Sequence, residues 1–374
     1  MRILELCTSR GRGGLELYAL KNIQHLKGPQ HVVHAAVREG TYLDEAVQEE
    51  GIPCIRIDPR STVLPYISAR KLARYIDDHE IDLIHAHWQK DVMLAALAKR
   101  LSKRHCKLMF MRHIRLTRQK KDAYHRFIYH SIDKYIVITR VMYEEALKYL
   151  PMAPSQIELL YHGVEDASDL HADVDCGDFL AQHGIRDDQF RVLLPGRVEW
   201  YKAQHTLIDA VARLKEEGVD VQACIMGHVM FDSYLEKLKK QARDKGIGDQ
   251  VKFIGFVDNS RAYYKCFDVV ALTTYIETFG LVLVEAMLSG VPVIGTRAGG
   301  VPEIIEHDKT GLLFEAGNEV ELARCIRQMV ENPQQRDAMA RAGQSYAREM
   351  FSNEVHYARL DEIIQELESE VAKG

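Results

Sequence analysis

Short apolar runs alternate with amphipathic stretches along the first half of the chain. Ile3–Cys7, His31–Val37, Cys54–Ile57, Asp82–Ala86, Lys107–Met111 and Tyr135–Ile138 read as strands. Leu15–Leu26, Tyr42–Glu50, Ala69–Asp78, Val92–Leu101 and Met142–Tyr149 carry apolar residues at helical spacing. Strands that are apolar almost throughout, separated by helices, are the pattern of a parallel sheet covered on both faces. From Pro151 to Asp188 the rhythm breaks, with two prolines, Gly163, Gly177, Gly184 and many aspartates. This region reads as a last strand, Ile157–Leu160, a linker and a short helix. Alternation then resumes, with strands at Arg191–Leu194, Val221–Met226, Val251–Ile254, Val269–Leu272, Val293–Ile294 and Leu312–Phe314. Helices are expected at Thr206–Leu214, Leu235–Ala242, Ala262–Lys265 and Leu281–Leu288, and the tail from Glu319 to Glu370 is almost wholly helical in pattern. The fold class is therefore α/β: two tandem doubly wound, Rossmann-like domains facing across a cleft, with ligands at the carboxyl ends of the strands.

Composition narrows the function classes. A length of 374 residues suits two domains, and 47% apolar with 28% charged residues excludes wholesale disorder. The formal charge of −5 argues against a nucleic-acid partner. No apolar run reaches the roughly 18 residues of a membrane span. The N-terminus reads as a strand rather than a signal peptide, so a cytoplasmic location is expected. The 7 cysteines are scattered, with no C-x-x-C pair. That spacing argues against a disulfide framework and a structural zinc site, and most are expected to be small buried hydrophobes.

Four motifs could carry chemistry. Gly11-Arg12-Gly13-Gly14-Leu15-Glu16 follows the first strand and opens a helix, where backbone N–H groups can approach a phosphate. Glu16 occupies the place of the third glycine of a dinucleotide fingerprint, and no Gly-Lys-Ser/Thr follows, so neither that fingerprint nor a P-loop is present. Arg197 and Lys202, after Gly196, put two cations beside a helix start, as a diphosphate would require. Glu277-Thr278-Phe279-Gly280-Leu281 leads into a helix bearing Glu285. The N–H groups of Phe279–Leu281 form an anion site, Glu277 a hydroxyl acceptor, and Glu285 an acceptor deeper on the helix. Ala298-Gly299-Gly300-Val301-Pro302-Glu303 permits close backbone approach. His85 and His87 share one strand face, which raises a metal reading. No local acid or cysteine completes a ligand set, so structural histidines are expected and no metal site is assigned. His113 follows the strand Lys107–Met111.

Taken in order, these motifs resemble the family-4, group 1 glycosyltransferases, retaining enzymes of the GT-B architecture. The resemblance covers nearly the whole chain and is sharpest in the spacing of Glu277 and Glu285 around Phe279-Gly280; His162-Gly163-Val164-Glu165 supports it. It implies an acceptor-side domain at 1–165, a donor-binding domain at 166–352, and a terminal helix at about 353–374 packing back on the first. His113, Arg197, Lys202 and Glu277 match the catalytic positions, the two cations clamping the donor diphosphate. Gly13, Gly14, Gly227, Val257, Phe279, Gly280, Leu281 and Glu285 match donor-binding positions, with Glu285 on the ribose. Three departures stand out: Ala203 where glycine usually follows the lysine, His162 and Glu165 where Asn and Asp are usual, and the basic Arg112-His113-Ile114-Arg115.

The resemblance implies transfer of a hexose-type sugar from a nucleotide-sugar donor to an anionic glycan or lipid-linked acceptor, in cell-surface polysaccharide or lipopolysaccharide synthesis. No Asp-x-Asp element lies on a suitable loop, so no cofactor or metal is expected, and Arg197, Lys202 and the helix N-terminus must neutralise the leaving group. From Lys99 to Arg126 there are eleven Lys/Arg and one acid, Asp122. This stretch suits an anionic acceptor or peripheral contact with the inner membrane face. A nucleotide-sugar epimerase of the same architecture and a non-catalytic nucleotide-sugar-binding subunit are the alternatives.

Overall fold

A computed structural model describes residues 1–59, 61–166 and 174–371. The chain divides into two compact units, residues 1–161 with 357–374, and residues 162–356. The division therefore falls near positions 161 and 356, a few residues from the expected 165 and 352.

The first unit is built on a parallel sheet of seven strands: β1 (Arg2–Cys7), β2 (Val32–Val37), β3 (Cys54–Arg56), β4 (Leu83–Ala86), β5 (Lys107–Arg112), β6 (Lys134–Val137) and β7 (Ile157–Leu159). Their order is β3-β2-β1-β4-β5-β6-β7. The strand interiors are buried because helices cover both faces, which explains their near-continuous apolar sequence. The chain reverses direction across the sheet between β1 and β4, the place where such sheets open a crevice. One helix, Ala123–Tyr129, escapes the periodicity reading. It is short and lies inside the basic run, where charges mask its apolar face; Asp122 caps it by accepting from the His125 N–H at 3.1 Å. The helix from Asn353 to Val371 buries Leu360, Ile363, Ile364 and Leu367 completely. Its residues from Tyr357 on belong to the first unit. Lys134 is ion-paired with Glu366 at 3.0 Å, and His25 with Asp361 at 3.1 Å.

The second unit carries six parallel strands: β8 (Phe190–Pro195), β9 (Val221–Met226), β10 (Val251–Gly255), β11 (Val269–Leu272), β12 (Val293–Thr296) and β13 (Leu312–Phe314). Their order is β10-β9-β8-β11-β12-β13, with the switch between β8 and β11. The tail resolves into three helices, Glu319–Glu331, Pro333–Phe351 and Asn353–Val371.

The cysteine expectation is corrected in this unit. Cys176 and Cys266 form a disulfide across 90 residues. The helix Cys176–Gln182 lies against the 3₁₀ segment Ser260–Cys266, with Phe179 stacked on Tyr263 at 4.1 Å, and this packing brings the two sulfurs together. The other five cysteines are free, and all but Cys54 are buried. Among the described residues no helix is long and apolar enough to cross a membrane.

Candidate functional site

The second unit presents its chemistry at the carboxyl ends of β8, β9, β10 and β11. A pocket of about 390 Å³ opens there, within the size range of small-molecule sites. Arg197, Gly227, Val257 and Glu285 line it, whereas Lys202, Glu277, Phe279, Gly280 and Leu281 are not among its lining residues. Gly227 has φ +154°, and a Cβ there would stand 2.0 Å from the Gly196 carbonyl oxygen. Only glycine lets the turns after β8 and β9 meet this closely. The pocket also holds Phe256, Arg261 and Tyr264, which sequence reasoning missed. The only signal for them is their place after β10, Phe256 directly behind the strand and Arg261 and Tyr264 on the 3₁₀ segment Ser260–Cys266, which carries no motif.

Glu285 lies on the helix Leu281–Leu288 with its carboxylate partly exposed to the pocket. It accepts from the Tyr264 hydroxyl at 3.4 Å and faces the Arg261 guanidinium at 3.8 Å. Burial, reinforced by the Glu285 charge, pushes the Tyr264 hydroxyl well above its ordinary range. Gly280 caps this helix, and the N–H groups of Leu281 and Val282 have no acceptor within it. Phe279 itself is buried; its ring meets His162 and Phe351 edge-on, so only its backbone can serve a ligand.

Arg197 and Lys202 are each paired with a carboxylate. Lys202 donates to Glu277 Oε2 at 2.8 Å, with side chains 22% and 19% exposed. Arg197 is 60% exposed and pairs with Glu199 at 3.0 Å. Glu277 Oε1 accepts from the Thr278 N–H at 3.2 Å, so both of its oxygens are engaged. The glycine pair Gly299-Gly300 explains how Glu277 is held. Gly299 has φ +57°, a Cβ there would lie 1.7 Å from the Glu277 carbonyl oxygen, and the Gly300 N–H donates to that oxygen at 3.3 Å. Ala203, in the place of the usual glycine, adopts a left-handed conformation at φ 51°. The departure changes the residue and keeps the turn.

His162 is buried and Gly163 lies against His356, while Val164 pairs with Ser352. Burial, with the nearby His356 charge, lowers the His162 imidazole to about 3.

In the first unit the glycine turn leads from β1 into the helix Gly14–Leu26. The Gly13 N–H donates to Glu16 Oε2 at 2.8 Å, so this helix start already holds an anion, the buried Glu16 carboxylate. Gly14 is open, with nothing within 4 Å of an added Cβ. His113 follows β5 half-buried, its ring 5.1 Å from Tyr18 and 6.4 Å from His87.

The expectation that no acid joins His85 and His87 is also corrected. Glu5 on β1 is the register partner of His85 on β4. Its carboxylate meets His85 Nδ1 at 3.0 Å and His87 Nε2 at 2.5 Å, all three side chains being buried. Burial alone would raise the Glu5 carboxyl, but the charges and hydrogen bonds of the two imidazoles more than offset it and hold it at about 2. The arrangement could hold a divalent ion, yet both carboxylate oxygens are already satisfied by imidazole nitrogens.

The basic stretch is partly consumed by internal partners. Lys99 pairs with Asp133, Arg104 with Asp82 at 2.7 Å, Lys107 with Glu370 at 2.7 Å and Arg115 with Glu145 at 2.6 Å. Arg112 is buried and donates to the carbonyls of Ile114 and Arg115. Lys103, Arg118, Lys121 and Arg126 remain exposed. Burial, then the Arg112 and Arg118 charges, lowers the Lys120 ammonium to about 8.

Comparison with known proteins yields two family matches. Residues 177–346 match the family described as Glycosyl transferases group 1, and residues 12–168 match Glycosyltransferase Family 4. N-acetyl-alpha-D-glucosaminyl L-malate synthase of Bacillus anthracis is 26% identical over 292 residues, 76% of this chain and 75% of that protein. The putative glycosyltransferase EpsD of Bacillus subtilis is 24% identical over 81% of each chain. The crystal structure of Anabaena HepE in complex with UDP superposes with a TM-score of 0.84 at 24% identity, covering 98% of this chain and 100% of HepE.

Proposed function

This chain belongs to the group 1 glycosyltransferases of family 4, with the GT-B architecture, and from that premise we propose its reaction. It moves a hexose-type sugar from a nucleoside-diphosphate sugar to an anionic glycan or lipid-linked acceptor in surface polysaccharide or lipopolysaccharide synthesis. Anomeric configuration is retained, and no metal ion takes part. The observation that carries this reading is the pocket where Arg197, Gly227, Val257 and Glu285 converge; the Lys202–Glu277 pair lies outside its lining, on the loops after β8 and β11. HepE, of the same fold, has been crystallised with UDP and with UDP-glucose, which supports a nucleotide donor.

In the proposed reaction the bond between the anomeric carbon and the phosphate oxygen breaks, and its electron pair stays on the diphosphate. Arg197, Lys202 and the Leu281–Val282 N–H groups stabilise that developing charge. The acceptor hydroxyl attacks from the same face, and its proton passes to the departing phosphate oxygen. Glu277 is a poor nucleophile, because both of its oxygens already accept hydrogen bonds; it suits a hydroxyl of the transferred sugar. His113 keeps the catalytic role that the resemblance implies for it. The exposed cations Lys103, Arg118, Lys121 and Arg126 support an anionic acceptor or a peripheral membrane contact at an inner, cytoplasmic face.

A thermal-shift screen of nucleoside diphosphates and their sugars, with and without chelator, tests the reading. A ligand at 100 times its Kd adds about 2.7 kcal/mol of stability. If no nucleotide raises Tm, the donor assignment falls. If chelator abolishes the shift and added divalent ion restores it, the metal-free clamp falls.

A further inference from the structure

Several large apolar side chains of the second unit are left open to solvent at the edge where β8, β9 and β11 end. Trp200 is 57% exposed and Phe231 61%, and Tyr201, Met230 and Ile276 are exposed beside them. They come from three different loops, yet main-chain hydrogen bonds tie those loops together. The Met230 N–H donates to the Val198 carbonyl at 3.2 Å, and the Tyr275 N–H donates to the Tyr201 carbonyl at 3.1 Å.

Trp200 is held among three aromatic neighbours, His205, Tyr234 and Tyr275. Its ring stacks on the His205 imidazole, with centroids 4.5 Å apart and planes 16° from parallel. Both His205 nitrogens are tied, one to the Tyr234 hydroxyl and the other to the Tyr275 hydroxyl, each at 2.9 Å. One hydrogen bond at each ring nitrogen holds the plane of the imidazole. The Tyr234 and Tyr275 rings lie 6.0 and 6.5 Å from the indole, which is held in place yet 57% exposed. A rigid aromatic of this kind loses little entropy when a ligand lands on it.

Position and charge select the occupant. Trp200 precedes by two residues the lysine that holds Glu277, the carboxylate assigned to the transferred sugar. The cations nearest Trp200 in sequence, Arg197 and Lys202, are each paired with an acid, Glu199 and Glu277, and Asp232 follows Phe231, a balance that disfavours an anionic lipid surface here. A pyranose ring offers an apolar C–H face for the indole and a hydroxyl rim for the Tyr201 hydroxyl.

We propose that Trp200, with the exposed Tyr201 next to it in the chain and the exposed Phe231 on the loop after β9, is a stacking platform for a neutral sugar ring of the acceptor glycan. This rests on the transferase reading above and names a subsite for its second substrate.

The Trp88→Phe variant leaves Trp200 as the sole tryptophan, so its emission reports the platform directly. Maltotriose, cellotriose and chitotriose are titrated at low and high salt. At least one should change the emission saturably and equally at both salts, and Phe231→Ala in that background should weaken the effect about tenfold. In transfer assays Trp200→Ala should raise the acceptor KM about tenfold, and Trp200→Phe should recover most of that loss. Unchanged emission with all three trisaccharides overturns the proposal. A response to phosphatidylglycerol vesicles and not to sugars overturns it in favour of a lipid occupant. The nucleotide thermal shift on the same protein keeps the two ideas separable. Nucleotide stabilisation without a sugar response refutes the platform alone, and a sugar response without nucleotide stabilisation refutes the transferase reading alone.

Discussion

Replacing Glu277 by glutamine keeps the shape of the side chain and removes one negative charge. Its carboxylate now sits 2.8 Å from the Lys202 ammonium. A phosphate oxygen bound to the far side of that ammonium would lie roughly 5–6 Å from the carboxylate, two hydrogen-bond lengths away. Two like unit charges at that separation repel by about 3 kcal/mol at an effective dielectric of 20, and by about half that at 40. Both side chains are about one-fifth exposed, so solvent and salt reduce the figure to about 1–1.5 kcal/mol. Glu277→Gln should therefore bind a free nucleoside diphosphate about tenfold more tightly. Turnover should fall at the same time, because a charged acceptor for a sugar hydroxyl, worth about 1.5–3 kcal/mol, is lost. The fold should survive, since a pair this accessible contributes at most about 1 kcal/mol. Isothermal titration of Glu277→Gln, Lys202→Ala and the double variant measures the effect, and the double variant should match Lys202→Ala. Weaker or unchanged diphosphate binding in Glu277→Gln would refute the idea that the ligand and Glu277 compete for one ammonium.

Arg197→Ala should cost about 100- to 1,000-fold in turnover, the usual loss for one preorganised donor to developing charge; a steady-state assay with near-normal kcat would contradict this. Gly227→Ala should destabilise the second unit by at least about 2 kcal/mol and abolish nucleotide binding, since the new methyl meets backbone at 2.0 Å, while Gly14→Ala, with open space around it, should leave Tm unchanged. His162, lowered to about 3 by burial, resists protonation in the folded state, whereas the unfolded chain protonates near 6.5. Stability should therefore fall as pH drops from about 6.5 towards 3, by up to about 1.4 kcal/mol per unit, and His162→Asn should flatten that limb in pH-dependent denaturation. Reducing the Cys176–Cys266 bond should lower the stability of the second unit by about 2–4 kcal/mol; identical melting with and without reductant, once mass spectrometry has established the oxidised bond, would contradict it.

The strands were readable because both faces of each sheet are covered, so apolar residues run on without alternation. The candidate residues were readable for a different reason. Arg197, Lys202, Glu277 and Glu285 keep a fixed order relative to strand ends, and order survives in sequence. Pairing does not. Lys202 meets Glu277 because β8 and β11 are neighbours in the sheet, and Glu5 meets His85 because β1 and β4 are. Both contacts span 75 residues or more, and only the crossover topology creates them. The Cys176–Cys266 bond was illegible for the same reason, being made by a helix and a 3₁₀ turn that touch across the unit. Net charge misled as well. The run from Lys99 to Arg126 reads as a free cationic face, yet Lys99, Arg104, Lys107 and Arg115 each have a carboxylate partner drawn from elsewhere in the chain.

That last point has a counterpart at the pocket. Arg197 faces Glu199, Lys202 faces Glu277 and Arg261 faces Glu285, three cation–carboxylate pairs along the carboxyl edge of one sheet. A cluster of bare cations would suit a diphosphate but would repel itself when empty and would hold any polyanion. Paired charges avoid that self-repulsion. A nucleotide sugar is an anion joined to two sets of hydroxyls. Its phosphates can take the cations while its hexose and ribose hydroxyls take the carboxylates, so neither partner of a split pair is left without a hydrogen bond. Inorganic diphosphate strands the carboxylates, and a free sugar competes with an ammonium for each one. Discrimination then comes from the cost of leaving a charged group unpaired, which exceeds the gain from any single added contact. On this account the carboxylates at 277 and 285 are as much a part of diphosphate selectivity as the cations beside them.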